Sequence, residues 1–199
     1  MRNLGRLLAI AIAAAALPLG EAAVLCRAAG APTPVRSEGL TELAGAILLS
    51  CTGAPGERVN TNLTIFLSVN VTNRTTAEGA VDAKLSVDGV PVAGVTPIAA
   101  GANAVAFNGV SIQTPESGAF GIVVSGIRIA AAQQGVDNAS PLEAFISVSG
   151  PSSPALSNST VTVGVPRRGL LSSGNAGTVN CYGSPVPARI SVSDLFGAG

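Results

Sequence analysis

"NTNLTIFLSVNVTN", Asn60 to Asn73, alternates apolar and polar residues without a break. Leu63, Ile65, Leu67, Val69 and Val71 share one phase, while Asn62, Thr64, Phe66, Ser68, Asn70 and Thr72 share the other. Successive side chains of a strand point to opposite faces, so this period of two predicts a half-buried β-strand. The polar phase reads as a solvated sheet surface. Phe66 is its exception, and the expected arrangement is a loop or the N-terminal leader lying over that ring. The alternative is an exposed contact for a partner.

Neighbouring stretches repeat the theme. In "AKLSVDGVPVAG" (83–94) a two-residue Asp88-Gly89 turn suits the positive φ angles of a type I′ hairpin. That register places Val87 opposite Val90 and Leu85 opposite Val92, with all four on one side of the ribbon. Leu43 to Leu49 is almost continuously apolar and predicts a strand covered on both faces. Two stretches change phase. "AFGIVVSGIRIA" (119–130) switches at Ser125-Gly126, which predicts a bulge or a strand crossing between sheets. "AVAFNGVSI" (104–112) switches at Asn108-Gly109, where a tight hairpin competes with a bulge. Regular alternation returns at Leu142–Val148, Val161–Val165 and Ile190–Val192. Short strands with Gly, Pro, Asn and Ser between them, and no amphipathic helix pattern after residue 22, predict an all-β antiparallel sandwich, Ig-like or related.

The ends differ from this middle. Residues 1–22 read as a cleaved signal helix: Arg2 and Arg6 form a positive start, Leu7 to Leu17 an apolar run, and Pro18 precedes small residues. That run is too short to span a bilayer, which takes about 20 apolar residues. Lipidation at Cys26 fits poorly, because bulky Leu25 precedes it where a small residue is wanted. Residues 23–34, including "AAGAPTP", are expected as an extended Pro-rich leader, with Pro32 and Pro34 barring helix and central strand. The sandwich is expected over 35–165. Residues 166–199 are expected as a loop-rich tail, with a last strand ending near Asp194 or little order at all.

Charge and composition exclude several functions. Only 11% of the 199 residues are charged, mean hydropathy is high, and loss of the signal leaves nine basic and ten acidic residues. No basic field exists to gather nucleic acid or anionic lipid. Histidine is absent, which removes the usual general base, the Ser-His and Cys-His nucleophiles and the commonest zinc ligand. A Ser-Lys dyad would need Lys84, the only lysine, which reads better as a solvated charge on a hairpin strand. Carboxylate pairs Glu38/Glu42 and Asp82/Asp88 have no nearby aromatic to hold a sugar for hydrolysis. Asp82, Asp88, Asp137 and Asn138 offer hard oxygens for calcium, but turn formation is the plainer reason for them. No catalytic residue, cofactor or metal is therefore expected. Arg167-Arg168 reads as an exposed loop pair rather than a processing site. Sequons begin at Asn62, Asn70, Asn73, Asn138 and Asn158; chance and β-propensity explain them in a chain rich in Asn, Ser and Thr.

Three cysteines allow one intramolecular disulfide with three pairings. Cys26 with Cys51 is preferred, since it ties the mature N-terminus to the end of an apolar segment. Cys181 is then free, paired between chains, or a competitor.

Four segments also resemble a known group. "VRSEGLTELAGAILLSCTG", "NLTIFLSVNVTNR", "GIRIAAAQ" and "EAFISVSG", in that order, resemble the start of a family of secreted β-rich proteins of environmental, acidobacteria-like bacteria. The likeness runs from Cys26 to Val165. It implies an exported β-sandwich without implying an activity, and its two cysteines match Cys26 and Cys51. "AGAILLS" lacks the family's acidic residue, and the chain from Gly174 onward has no counterpart there.

The expectation for function is a noncatalytic extracellular or cell-surface protein with a structural or adhesive role, including that of an assembly subunit, whose partner is itself or another surface protein. The alternatives are a module binding protein or carbohydrate, and a hydrolase using carboxylates alone. An outer-membrane barrel would need aromatic girdles, and one Tyr, five Phe and no Trp do not supply them.

Overall fold

The structure, a computed structural model, describes residues 24–174, 182 and 189–196. The signal segment expected at 1–22 and Cys181 lie outside the described residues. In chain order the strands are β1 (Leu25–Ala31), β2 (Thr33–Arg36), β3 (Glu42–Leu43), β4 (Ala46–Thr52), β5 (Arg58–Leu67), β6 (Lys84–Val87), β7 (Val90–Pro91) and β8 (Pro97–Ala99). They continue as β9 (Ala104–Gln113), β10 (Ala119–Ser125), β11 (Arg128–Ile129), β12 (Leu142–Ser149), β13 (Ala155–Leu156), β14 (Thr160–Arg167), β15 (Leu170–Gly174) and β16 (Ile190–Asp194).

Two six-stranded sheets form the sandwich, ordered β13-β1-β4-β10-β6-β7 and β2-β14-β12-β5-β9-β8. Their inner faces come from the apolar phases of the sequence. Cys26, Cys51 and Phe120 align across the first sheet, as do Ala28, Leu49 and Ile122, and all are buried. Val105, Ile65 and Ile146 align across the second. Pairing is antiparallel except at β1–β13 and β2–β14, which are parallel. Those two exceptions involve the first strands of the chain lying beside its later ones, a placement that no local pattern encodes.

Several expectations hold at residue level. Asp88 has φ 48° and Gly89 φ 81°, and Val87 pairs with Val90. At Ser125-Gly126 the chain leaves the first sheet, and β11 pairs with β3 instead. At Asn108-Gly109 the strand continues through a bulge, not a hairpin: Thr61 faces Val110 and Leu63 faces Phe107, so Asn62 alone opposes two residues. Gly109 takes φ 68° there, and its N–H donates to Asn62 Oδ1 at 2.8 Å.

Other expectations need correction. Residues 25–31 are no free leader: β1 is an inner strand between β13 and β4, with Cys26 and Ala28 in the core. Pro32 falls between strands, and Pro34 sits on edge strand β2, where a missing N–H is tolerated. β4 is covered on one face only, since Leu48 is 41% exposed between buried Ile47 and Leu49. β5 stops at Leu67 rather than running to Asn73: Ser68 still donates to Glu143 O of β12, but from Asn70 to Thr72 the backbone bonds Arg128 and Ala130 and Val71 bridges Ile129, so the alternating segment passes from β12 to β11. β14 runs past Val165 to Arg167; the last strand expected to end near Asp194 is β16, but residues 170–174, expected as loop, pair with it in a two-stranded ribbon.

Candidate functional site

The outer face of the second sheet carries the most unusual surface. β5 and β12 are its central strands, and their register sets Phe66 directly opposite Phe145. The ring centroids lie 6.3 Å apart with planes tilted by 45°. Both rings stay open to solvent, at 40% and 48% exposure. Among the described residues the cover expected over Phe66 does not form: of the expected leader, β1 belongs to the other sheet and Thr33 and Pro34 lie in β2 at the edge of this one. Around the pair the face is small or polar. Thr160 stands opposite Phe145, Ala104 opposite Phe66, and Ser147 opposite Thr64. Paired aromatics on a rigid sheet offer apolar contact area at little cost in side-chain entropy.

A second concavity lies at one end of the sandwich. A groove of about 730 Å³ is floored by Pro34, Val136, Pro166, Leu195 and Phe196. On its wall Arg168 pairs with Asp137 and Arg167 stands beside them, while Arg36 and Asp194 pair at 3.5 Å behind Phe196 and Leu195. The Arg36 guanidinium also stands 5.3 Å from the centre of the Phe196 ring.

With this geometry in view, comparison with known proteins returns no match to any family model and none to a curated protein.

The residues singled out for chemistry do not converge. Glu38 accepts from Gly169 N–H at 2.8 Å and from the Ser37 hydroxyl at 3.1 Å, and the Gly169 bond holds its carboxyl below the ordinary value. Glu42 sits on β3, with its side chain over Gly39. Asp82 accepts from the Asn73 amide, and Asp88 Oδ1 accepts from Gly121 N–H at 2.7 Å. Asp137 binds Arg168, while Asn138 Oδ1 accepts from Ser140 N–H at 2.9 Å. The four side chains considered for calcium thus lie at three separate places, Asp82, Asp88 and the Asp137-Asn138 turn, each with its own partner. Among the described residues no group of three or more acidic, Cys or His side chains lies together. Lys84 is exposed on β6, opposite Ser125.

Sequence reasoning missed two things. Phe145 sits on the polar phase of β12, as Phe66 does on β5, and that shared anomaly was the available signal. The sequon asparagines also have structural work. Asn158 exchanges both bonds with the Ala28 backbone, at 3.0 and 2.9 Å. Asn73 is 8% exposed; its amide donates to Asp82 and to Gly126 O, and its oxygen accepts from Arg128 N–H at 2.7 Å. It therefore braces the crossing between β10 and β11. Asn73→Ala strands those backbone groups and is expected to cost about 1–3 kcal/mol, read as a lower urea midpoint with an unchanged slope.

Proposed function

We propose that this chain is a noncatalytic β-sandwich of the cell exterior, with a structural or adhesive role and a capacity to act as an assembly subunit. The observation that carries the reading is the exposed Phe66–Phe145 pair on an open sheet face. The carboxylates of Glu38, Asp82 and Asp88 meanwhile spend their oxygens on neighbouring backbone and amide groups. Contact over a surface, rather than turnover in a cleft, is what that division of labour suits. Support for export comes from the N-terminal signal pattern and the resemblance to secreted β-rich proteins; the Cys26–Cys51 disulfide is compatible with an oxidising compartment.

A second reading, a carbohydrate-binding module, draws on the same face. Sugar rings stack on aromatics, and Thr64, Ser147 and Thr160 would supply hydrogen bonds beside the pair.

The discriminating experiment measures adhesion of the exported protein to bacterial envelopes and to a panel of insoluble polysaccharides. The adhesive reading expects envelope binding that falls at least about tenfold in Phe66→Ala/Phe145→Ala, corresponding to loss of roughly 1.4 kcal/mol. Saturable binding to one polysaccharide, lost in the same variant, would favour the module. Envelope binding unchanged in the variant would remove the aromatic pair from either role.

A further inference from the structure

The sandwich protects its own edges. β13 is two residues long, β7 ends on Pro91, and β2 carries Pro34. β8 starts on Pro97 and is covered by the preceding chain, with Val81 donating to Pro97 O and Ala99 to Gly79 O. Short, proline-bearing or covered edges resist the addition of a foreign strand.

The ribbon β15–β16 is built differently. Neither strand contains proline, all their residues are exposed, and among the described residues they pair only with one another. Leu195 N–H donates to Gly169 O at 2.8 Å, which sets the hydrogen-bonding phase of the ladder. Carried through the register Leu171–Ser193 and Ser173–Ser191, that phase turns the backbone of Ser191 and Ser193 toward β15. Ile190, Val192 and Asp194 then direct their N–H and C=O groups outward. Their side chains share a face with Leu170, and Ile190 and Val192 are 76% and 61% exposed.

We infer that the outer edge of β16 is a self-association surface whose occupant is the same edge of a second copy. This deepens the assembly reading above and rests on it. Antiparallel pairing with Ser191 on the two-fold axis sets Ile190 of each copy opposite Val192 of the other. Both pairs are then of the hydrogen-bonded kind, and both match aliphatic β-branched side chains. Placing Val192 on the axis would instead oppose Ile190 to Asp194, which the pairing chemistry disfavours. A second copy is the fitting occupant for three reasons. A two-stranded ribbon is marginal in water, and joining two ribbons reaches the strand number at which a sheet becomes stable. The joined sheet gathers Leu170, Ile190 and Val192 of both copies on one face. The chain's near-zero net charge leaves little repulsion between copies, and their sandwich edges are closed, so among the described residues the ribbon supplies the open edge that this chain offers to itself.

Val192→Pro tests the pairing, because it deletes an outward N–H while the ladder to β15 uses Ser191 and Ser193. Light scattering across a concentration series on the exported protein, with Cys181→Ser in every sample to exclude covalent linkage, should show a reversible dimer. Val192→Pro and, independently, Ile190→Lys should each raise its Kd at least about tenfold. Ile190→Lys decides the matter if the proline variant melts early, since a lysine guards edge strands without breaking them. A reference protein that stays monomeric throughout, or an Ile190→Lys variant that dimerises as the reference does, overturns the inference. A monomer that still adheres to envelopes would sink the ribbon pairing and spare the adhesive role; a ribbon-dependent dimer that adheres to nothing would do the reverse.

Discussion

Replacing Phe107 by alanine is expected to remove about 3–5 kcal/mol of stability, the usual cost of deleting a buried aromatic ring. Phe107 is fully buried and is the bulkiest of the deeply buried side chains. It lies on β9 between Leu63 of β5 and Pro97 of β8, immediately before the Asn108-Gly109 bulge. Neighbouring strands cannot close over the void easily, because the bulge fixes β9 against β5 on one side and the edge strand holds it on the other. Single domains are stable by about 5–15 kcal/mol, so the loss is a large share of the total. A urea titration checks it, and Phe107→Leu should fall between the alanine variant and the parent. A loss below about 1 kcal/mol would mean that the two sheets settle together and fill the space, against the close packing that the register implies.

Phe107 also shows why some of this fold is legible in the sequence. Val105 and Phe107 lie on one phase and Val110 and Ile112 on the other, so the sequence announces an irregularity at Asn108-Gly109. Whether the chain bulges or turns back depends on β5, a partner more than 40 positions away, and local pattern does not contain that information. The same distinction separates the hairpin at Asp88-Gly89, specified by its own residues, from β1. "LCRAAGA" is small, Gly-bearing and followed by proline, so propensity argued against an inner strand. The ladder to β4, burial of Cys26 and Ala28 between the sheets and the Asn158 brace override that preference.

The candidate site was half legible for a related reason. An aromatic residue on a polar phase can be noticed in one strand, which is how Phe66 stands out. Its pairing with Phe145 depends on the β5–β12 register, and a one-residue slip would have sent Phe145 to the core face. The ribbon was legible only at β16, where Ile190 and Val192 alternate; "LLSSG" has too little β-propensity to announce β15.

Removing the Cys26–Cys51 disulfide, as Cys26→Ala/Cys51→Ala, is expected to cost about 3–4 kcal/mol and lower Tm by roughly 10 °C. The two cysteines are directly opposed on β1 and β4, buried, and 25 positions apart. Unlike the disulfide of antibody domains, which ties two sheets together, this one joins neighbours within a sheet. Its main effect is therefore on the unfolded chain, where it forbids β1 from wandering away from β4. With the link gone, β1 depends on its ladder to β4, its short pairing with β13 and the two Asn158 bonds. Loss should accordingly be uneven: amide exchange at Ala28 should accelerate more than at Ile65, which sits between β12 and β9 in the other sheet. Calorimetry gives the size of the effect and hydrogen exchange gives its location. A Tm within about 2 °C of the parent would show that the ladder alone pins β1. Equal acceleration at Ala28 and Ile65 would show that the sandwich opens as one unit, with the disulfide stabilising all of it rather than its first strand.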